Sequence, residues 1–267
     1  YYPKWTRTQF ASIVNHFYDA GGLIVEVHPD YPSYIKSPNV LDYCFSEDAG
    51  STENAAMGFE IHTGNYGFMP SRQYNEQAYQ LWLDMLDAGK KVYATYGDDG
   101  HRLPTAVAMT TMYAPDGADS DYYMEQIHNG NFAPGWVGIR MMIGDTKMGG
   151  TADSFEGKQL IFSIGDMYEA NEYSRTYLDK GLKPATMDWE PGYVADQTYT
   201  LRVYDDSGLL SECEVNPSET TYFAIDAEAD AKFYRIEVWT ENADGSIRYR
   251  CGVGNPIWNA AAYNNAE

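Results

Sequence analysis

The 267-residue sequence is poor in cysteine and in basic side chains, and it contains no long apolar run. Its three cysteines, Cys44, Cys213 and Cys251, are too few and too scattered for a disulfide scaffold or a cysteine zinc site. We expect buried thiols, with a Cys213–Cys251 bridge as the alternative. No stretch approaches the roughly 20 apolar residues that a membrane-spanning helix needs, so no membrane segment is predicted.

The balance of charge excludes further classes of partner. Lysine and arginine number 18 against 39 aspartate and glutamate residues, which gives a net charge of −21. Such a surface repels phosphate backbones and anionic lipid, so we expect neither nucleic acid nor membrane as a partner. The sequence also has no Gly-x-Ser-x-Gly elbow and no phosphate-binding glycine loop, which argues against serine hydrolases, NTPases and dinucleotide enzymes.

The first half of the chain alternates between helix and strand patterns. Apolar residues at three-and-four spacing predict helices from Thr8 to Tyr18, from Ser71 towards Gly89, and around Ser120 to His128. Between them, short apolar runs predict strands over Leu23–Val27, Glu60–His62 and Lys91–Tyr96. Strands that alternate with helices predict a largely parallel sheet or barrel.

The second half, from about Trp136, has the pattern of an antiparallel β-structure. Apolar and polar residues alternate over Lys232–Trp239 and Ile247–Val253, and the tetrapeptide from Asp205 to Gly208 predicts a turn. Only one helix, around Tyr168 to Leu178, is expected here. The sequence therefore predicts two domains, an α/β domain at 1–137 and a small β-sandwich at 138–267.

Side chains that bind metals follow or lie within each of the three predicted strands of the first half. His28 follows the first strand, Glu60 and His62 belong to the second, and Asp99 and His101 follow the third. The carboxyl ends of parallel strands meet at one edge of a sheet, so we expect these groups to converge there. His62 can point to the same side as Glu60, since it lies two residues later. Imidazole and carboxylate ligands favour zinc, manganese or iron.

Three of these segments resemble motifs of the polymerase-and-histidinol-phosphatase (PHP) superfamily, in the same order. They are Gly22 to Pro29 (GLIVEVHP), Phe59 to His62 (FEIH) and Tyr96 to His101 (YGDDGH). The resemblance extends to segments near Ile127–Phe132, Tyr234–Val238 and Gly254–Trp258. It implies a distorted β/α barrel that binds more than one metal ion and hydrolyses phosphate esters. Four metal ligands are carried over by motif, namely His28, Glu60, Asp99 and His101, whereas His62 has no assured counterpart.

The sequence departs from the family pattern at its beginning. The family opens with a His-x-His strand, and no His-x-His occurs in this sequence. We therefore expect an α/β fold made of a partial or distorted PHP-type β/α barrel followed by a small antiparallel β-sandwich. A missing N-terminal segment would complete the barrel.

The function that the resemblance implies is metal-dependent hydrolysis of small phosphate esters. A divalent transition metal ion would lower the pKa of a water molecule towards roughly 7, and this water would attack phosphorus. Arg102, directly after His101, is the candidate cation for the charge that builds up on the phosphoryl oxygens. The alternative is a catalytically incomplete PHP-like protein that binds glycans or proteins through its aromatic-rich β-domain.

Overall fold

The computed structural model describes residues 6–27, 56–63, 71–97, 110–135, 137–165, 198–215, 220–241 and 248–264. Within these ranges the helices are α1 (Arg7–Asp19), α2 (Ser71–Asp87), α3 (Ser120–His128) and α4 (Ala260–Asn264). The strands of the first half are β1 (Val25–Glu26), β2 (Met57–Thr63), β3 (Val92–Gly97), β4 (Thr110–Thr111) and β5 (Ala133–Pro134). Those of the second half are β6 (Ile139–Ile143), β7 (Thr146–Lys147), β8 (Thr151–Ala152), β9 (Gln159–Ile164), β10 (Thr198–Asp205), β11 (Gly208–Val215), β12 (Thr221–Asp226), β13 (Phe233–Glu241), β14 (Arg248–Val253) and β15 (Ile257–Asn259).

Strands β1, β2 and β3 form a small parallel sheet in that order. Helix α2 packs against it through a buried apolar face that includes Trp82, Met85 and Leu86. The indole of Trp82 also donates a hydrogen bond of 3.0 Å to the carbonyl of Val92, which fixes the helix against β3. The expected helices at α1, α2 and α3 and the expected strands at β1, β2 and β3 are confirmed within a few residues.

The second half forms a β-sandwich. A six-stranded sheet runs in the order β11-β10-β13-β15-β8, with β14 also paired to β13, and a four-stranded sheet runs β12-β9-β6-β7. The two sheets enclose one apolar core, to which Ile143, Leu160, Phe155 and Ile236 contribute. The expected turn at Asp205–Gly208 joins β10 to β11, where the Asp205 carboxylate accepts hydrogen bonds from Ser207 and Gly208.

Strand β13 is buried on both faces. Its residues Tyr234, Ile236 and Val238 belong to the core of the sandwich. Phe233, on the other face, belongs to the core around the parallel sheet, together with Val253 and Trp258. The six-stranded sheet is therefore the middle layer between the parallel sheet with α2 and the four-stranded sheet.

The prediction of a partial or distorted β/α barrel is wrong. The described residues are mainly β-structure in several separate sheets, and no closed barrel is present among them. The physical reason lies at the outer edge of β3, where the amide N–H of Ala94 donates to the side-chain oxygen of Asn255 at 2.7 Å. Asn255 is fully buried and also donates to the carbonyl of Phe132 at 3.0 Å. A side chain of the β14–β15 segment thus occupies the edge on which a further barrel strand would pair.

Two smaller expectations concern cysteine and membrane segments. Cys213 and Cys251 are both free thiols, and the Cys251 thiol donates to the carbonyl of Val238 at 3.2 Å. None of the helices in the described ranges is long and apolar enough to cross a membrane. The expected helix around Tyr168 to Leu178 and Cys44 lie outside the described residues.

Candidate metal centre at the carboxyl end of the parallel sheet

The parallel arrangement of β1, β2 and β3 directs all three carboxyl ends to one edge of the sheet. Val25 on β1 pairs with Gly58 on β2, and Met57 on β2 pairs with Val92 on β3, so the three strands run side by side in the same direction. His28, Asp99, His101 and the candidate cation Arg102 lie outside the described residues. The last described residue before His28 is Val27, which follows β1, and the last described residue before Asp99 and His101 is Gly97, at the end of β3.

Glu60 is a buried carboxylate near this edge, with 4 % of its surface exposed. It pairs across the sheet with Thr95, and its side chain extends along β3 towards Gly97. A methyl group at residue 97 would collide with the Oε1 atom of Glu60. The absence of a side chain at Gly97 therefore leaves room for the Glu60 carboxylate. Gly97 precedes the predicted ligand Asp99 by two residues.

Thr95 shares the face of Glu60 and Gly97, because paired residues and residues two apart on a strand point to the same side. Its hydroxyl oxygen is buried and has no hydrogen-bond partner among the described residues. A buried hydroxyl without a partner costs about 1–3 kcal/mol, so this atom indicates a partner from beyond the described residues.

His62 lies on the opposite face from Glu60. The register shifts between these two residues, so that Glu60 pairs with Thr95 whereas His62 pairs with the next residue, Tyr96. The imidazole stacks on the ring of Tyr96 with 4.6 Å between centroids. The spacing of the two residues allows His62 to point to the same side as Glu60, but a β-bulge adds one residue between them and turns it to the other face. Metal ligation by His62 itself stays a prediction.

The surroundings of His62 hold the ring in its neutral form. The side-chain amide of Asn75 donates to Nδ1 at 3.1 Å, which places the proton of the neutral ring on Nε2. Burial, and then the charge of Arg250, lower the pKa of His62 to about 3. Glu26 on β1 lies on the same face of the parallel sheet as His62, and burial raises its pKa to about 7.

A second buried carboxylate, Glu237 on β13, lies beneath α2 with none of its surface exposed. Its oxygens accept hydrogen bonds from the Tyr79 hydroxyl, from the Arg235 guanidinium and, at 2.7 Å, from the Trp239 indole. Burial alone would raise the pKa of Glu237, but the guanidinium groups of Arg235 and Arg250 outweigh it and the pKa is lowered. This carboxylate is neutralised entirely within the fold.

Arg250 connects this buried ion pair to the site at the edge of the sheet. Its guanidinium lies 3.6 Å from the ring centroid of Tyr79 and binds the Glu76 carboxylate at 2.6 Å. Its backbone carbonyl accepts a hydrogen bond of 3.1 Å from the Tyr96 hydroxyl. Sequence analysis missed this cluster. Arg235 and Glu237 are the polar residues in the alternation over Lys232–Trp239, which predicts a strand but not an ion pair.

The described residues contain no group of three histidine, cysteine, aspartate or glutamate side chains placed to hold a metal ion. Of the five predicted ligands, only Glu60 and His62 lie in the described ranges, and they point to opposite faces. The fit to a divalent ion rests on two observations. Glu60 is an oxygen donor that hard and borderline cations accept, and the Thr95 hydroxyl beside it is buried without a partner among the described residues.

The chain matches no protein-family model, no curated protein and no solved structure. The resemblance to the PHP superfamily thus rests on the sequence motifs alone.

Proposed function

We propose that this protein is a metal-dependent hydrolase of small phosphate esters, related to the PHP superfamily, whose divalent ion binds at the carboxyl end of the parallel sheet. The observation that carries the proposal is the position of Glu60. A carboxylate that is 4 % exposed lies against Gly97, at the edge where β1 and β3 lead into His28 and Asp99. A carboxylate oxygen is a ligand that divalent cations accept, and this one lies at the edge of the sheet to which the other predicted ligands belong.

The residues proposed to hold the ion are Glu60, His28, Asp99 and His101. Zinc, manganese or iron bound there would supply Lewis-acid polarisation of a phosphoryl oxygen and activation of water. The carboxylate of Glu60 is itself largely withdrawn from water, with 4 % of its surface exposed. Its attraction to a cation is stronger there than on an exposed surface.

The proposal is tested by metal content and by hydrolysis of an aryl phosphate. The purified chain should contain zinc, manganese or iron, and Glu60→Gln should lower its affinity for Mn²⁺ at least tenfold, together with its activity. Glu156→Gln, an exposed change in the sandwich, should alter neither. A wild-type chain that binds no divalent ion contradicts the proposal.

A second candidate function, a binding module without catalysis, is favoured by one exposed face of the four-stranded sheet. Met142 pairs with Ile161, and both have exposed side chains, while Tyr222 on the neighbouring edge strand is 74 % exposed. Exposed aromatic and apolar side chains on one sheet face are typical of surfaces that bind a glycan or a protein. This candidate predicts a metal-free fold whose unfolding temperature is unchanged by chelators, and a Tyr222→Ala variant that loses binding.

A further inference from the structure

Thr95 is a residue of the candidate centre that neither the sequence motifs nor the resemblance singles out. It lies on β3 directly across from Glu60 and two residues before Gly97, on the same face as both. Its Cγ2 methyl group lies over Gly58 of β2, since a methyl group built on Gly58 would lie 3.2 Å from it.

The hydroxyl of Thr95 is buried, and no donor or acceptor among the described residues meets it. The neighbouring Glu60 carboxylate extends towards Gly97. Valine has nearly the same shape as threonine and high strand propensity, so packing alone would be served by valine at this position. The hydroxyl is therefore available to a partner from beyond the described residues.

We infer that Thr95 is a positioning residue of the proposed ion site, and that its hydroxyl hydrogen-bonds to an oxygen atom of solvent or phosphate held there. This inference rests on the proposed function. A hydroxyl serves such a role because it both donates and accepts, so it can orient a water molecule or a phosphoryl oxygen beside the carboxylate. Partners of this kind typically change metal affinity by about 10- to 100-fold when they are removed.

The test compares Thr95→Val, Thr95→Ser and the wild type for Mn²⁺ binding by isothermal titration calorimetry. Thr95→Val should lower the affinity about tenfold, and Thr95→Ser, which keeps the hydroxyl, should stay within about twofold of the wild type. Thr221→Val, on the edge strand β12 of the sandwich, is the matched control and should bind as the wild type does.

The rise in unfolding temperature on adding Mn²⁺ provides a second measurement within each variant, so a general loss of stability does not mimic the effect. Equal affinity in the wild type and Thr95→Val overturns the role of Thr95 while the proposed function stands. A wild type that binds no Mn²⁺ overturns the proposed function, and the role of Thr95 with it. Equal losses in Thr95→Val and Thr95→Ser would show a packing effect and would also overturn the inference.

Discussion

Two glutamates on the described strands, Glu60 and Glu237, are buried, and their surroundings differ. Glu237 lies in the middle layer, where a guanidinium, a phenol and an indole all donate to its oxygens. Glu60 lies at the end of the parallel sheet, where the fold provides a glycine to make room for it and a threonine with an unused hydroxyl. The first carboxylate is satisfied by donors of the fold and stabilises it, and our proposal assigns the second to the ion site.

The largest effect is expected from Glu237→Gln, which breaks the closed cluster. Arg235 would remain buried without its counter-charge, and such a loss costs about 3–5 kcal/mol of unfolding free energy. Chemical denaturation at pH 7 measures it. The double variant Arg235→Met with Glu237→Gln should recover most of the loss, because no lone charge remains buried.

The pH dependence of this loss follows from the lowered pKa of Glu237. A carboxylate whose pKa is lowered on folding contributes stability above its unfolded pKa, and that contribution is lost as the pH falls through the folded value. The difference between wild type and Glu237→Gln should therefore shrink below about pH 4. A difference that stays constant down to acid pH would contradict the ion-pair account.

Gly97→Ala tests the other half of the comparison. The added methyl group must displace the Glu60 carboxylate, so we expect at least a tenfold loss of Mn²⁺ affinity. The overpacking should also cost about 1–3 kcal/mol of stability. Gly138→Ala is the control, since its nearest neighbour would lie at 3.8 Å in ordinary contact. Unchanged Mn²⁺ affinity in Gly97→Ala would mean that Glu60 does not bind the ion.

Lys91 should give the smallest effect, because it is a half-buried cation with a weaker partner. Its ammonium group lies 5.6 Å from the ring centroid of Trp258, and burial lowers its pKa. Burial destabilises such a lysine while it is charged, and this cost disappears as the pH rises to the unfolded pKa. Lys91→Met should therefore stabilise the protein by on the order of 1 kcal/mol at pH 7, and by less above pH 10. Exposed Lys147→Met should have no effect, and a destabilised Lys91→Met would contradict this account.

The elements that the sequence predicts well are those whose apolar spacing is regular. The one-sided pattern of α2 and the alternation along β13 each lead to the observed element. The barrel was wrongly predicted because it was inferred from the family resemblance. The three strands that the first half of the sequence predicts are too few to close a barrel. The role of Asn255 at the edge of β3 depends on a contact between distant segments that no local pattern reveals.

The candidate site was predictable only in part for a similar reason. An unusual carboxylate in an apolar run marked Glu60 correctly as a buried charge. The β-bulge that turns His62 to the other face leaves no trace in the spacing of the two residues. Thr95 was missed because threonine is an ordinary strand residue, and only the neighbours of its hydroxyl set it apart.

Anomalous diffraction from crystals of the protein grown with Mn²⁺ locates the ion directly. Our account predicts a manganese peak beside the Glu60 carboxylate, on the face of the parallel sheet that carries Thr95 and Gly97. A peak beside His62 on the opposite face, or no peak near this sheet, would contradict it.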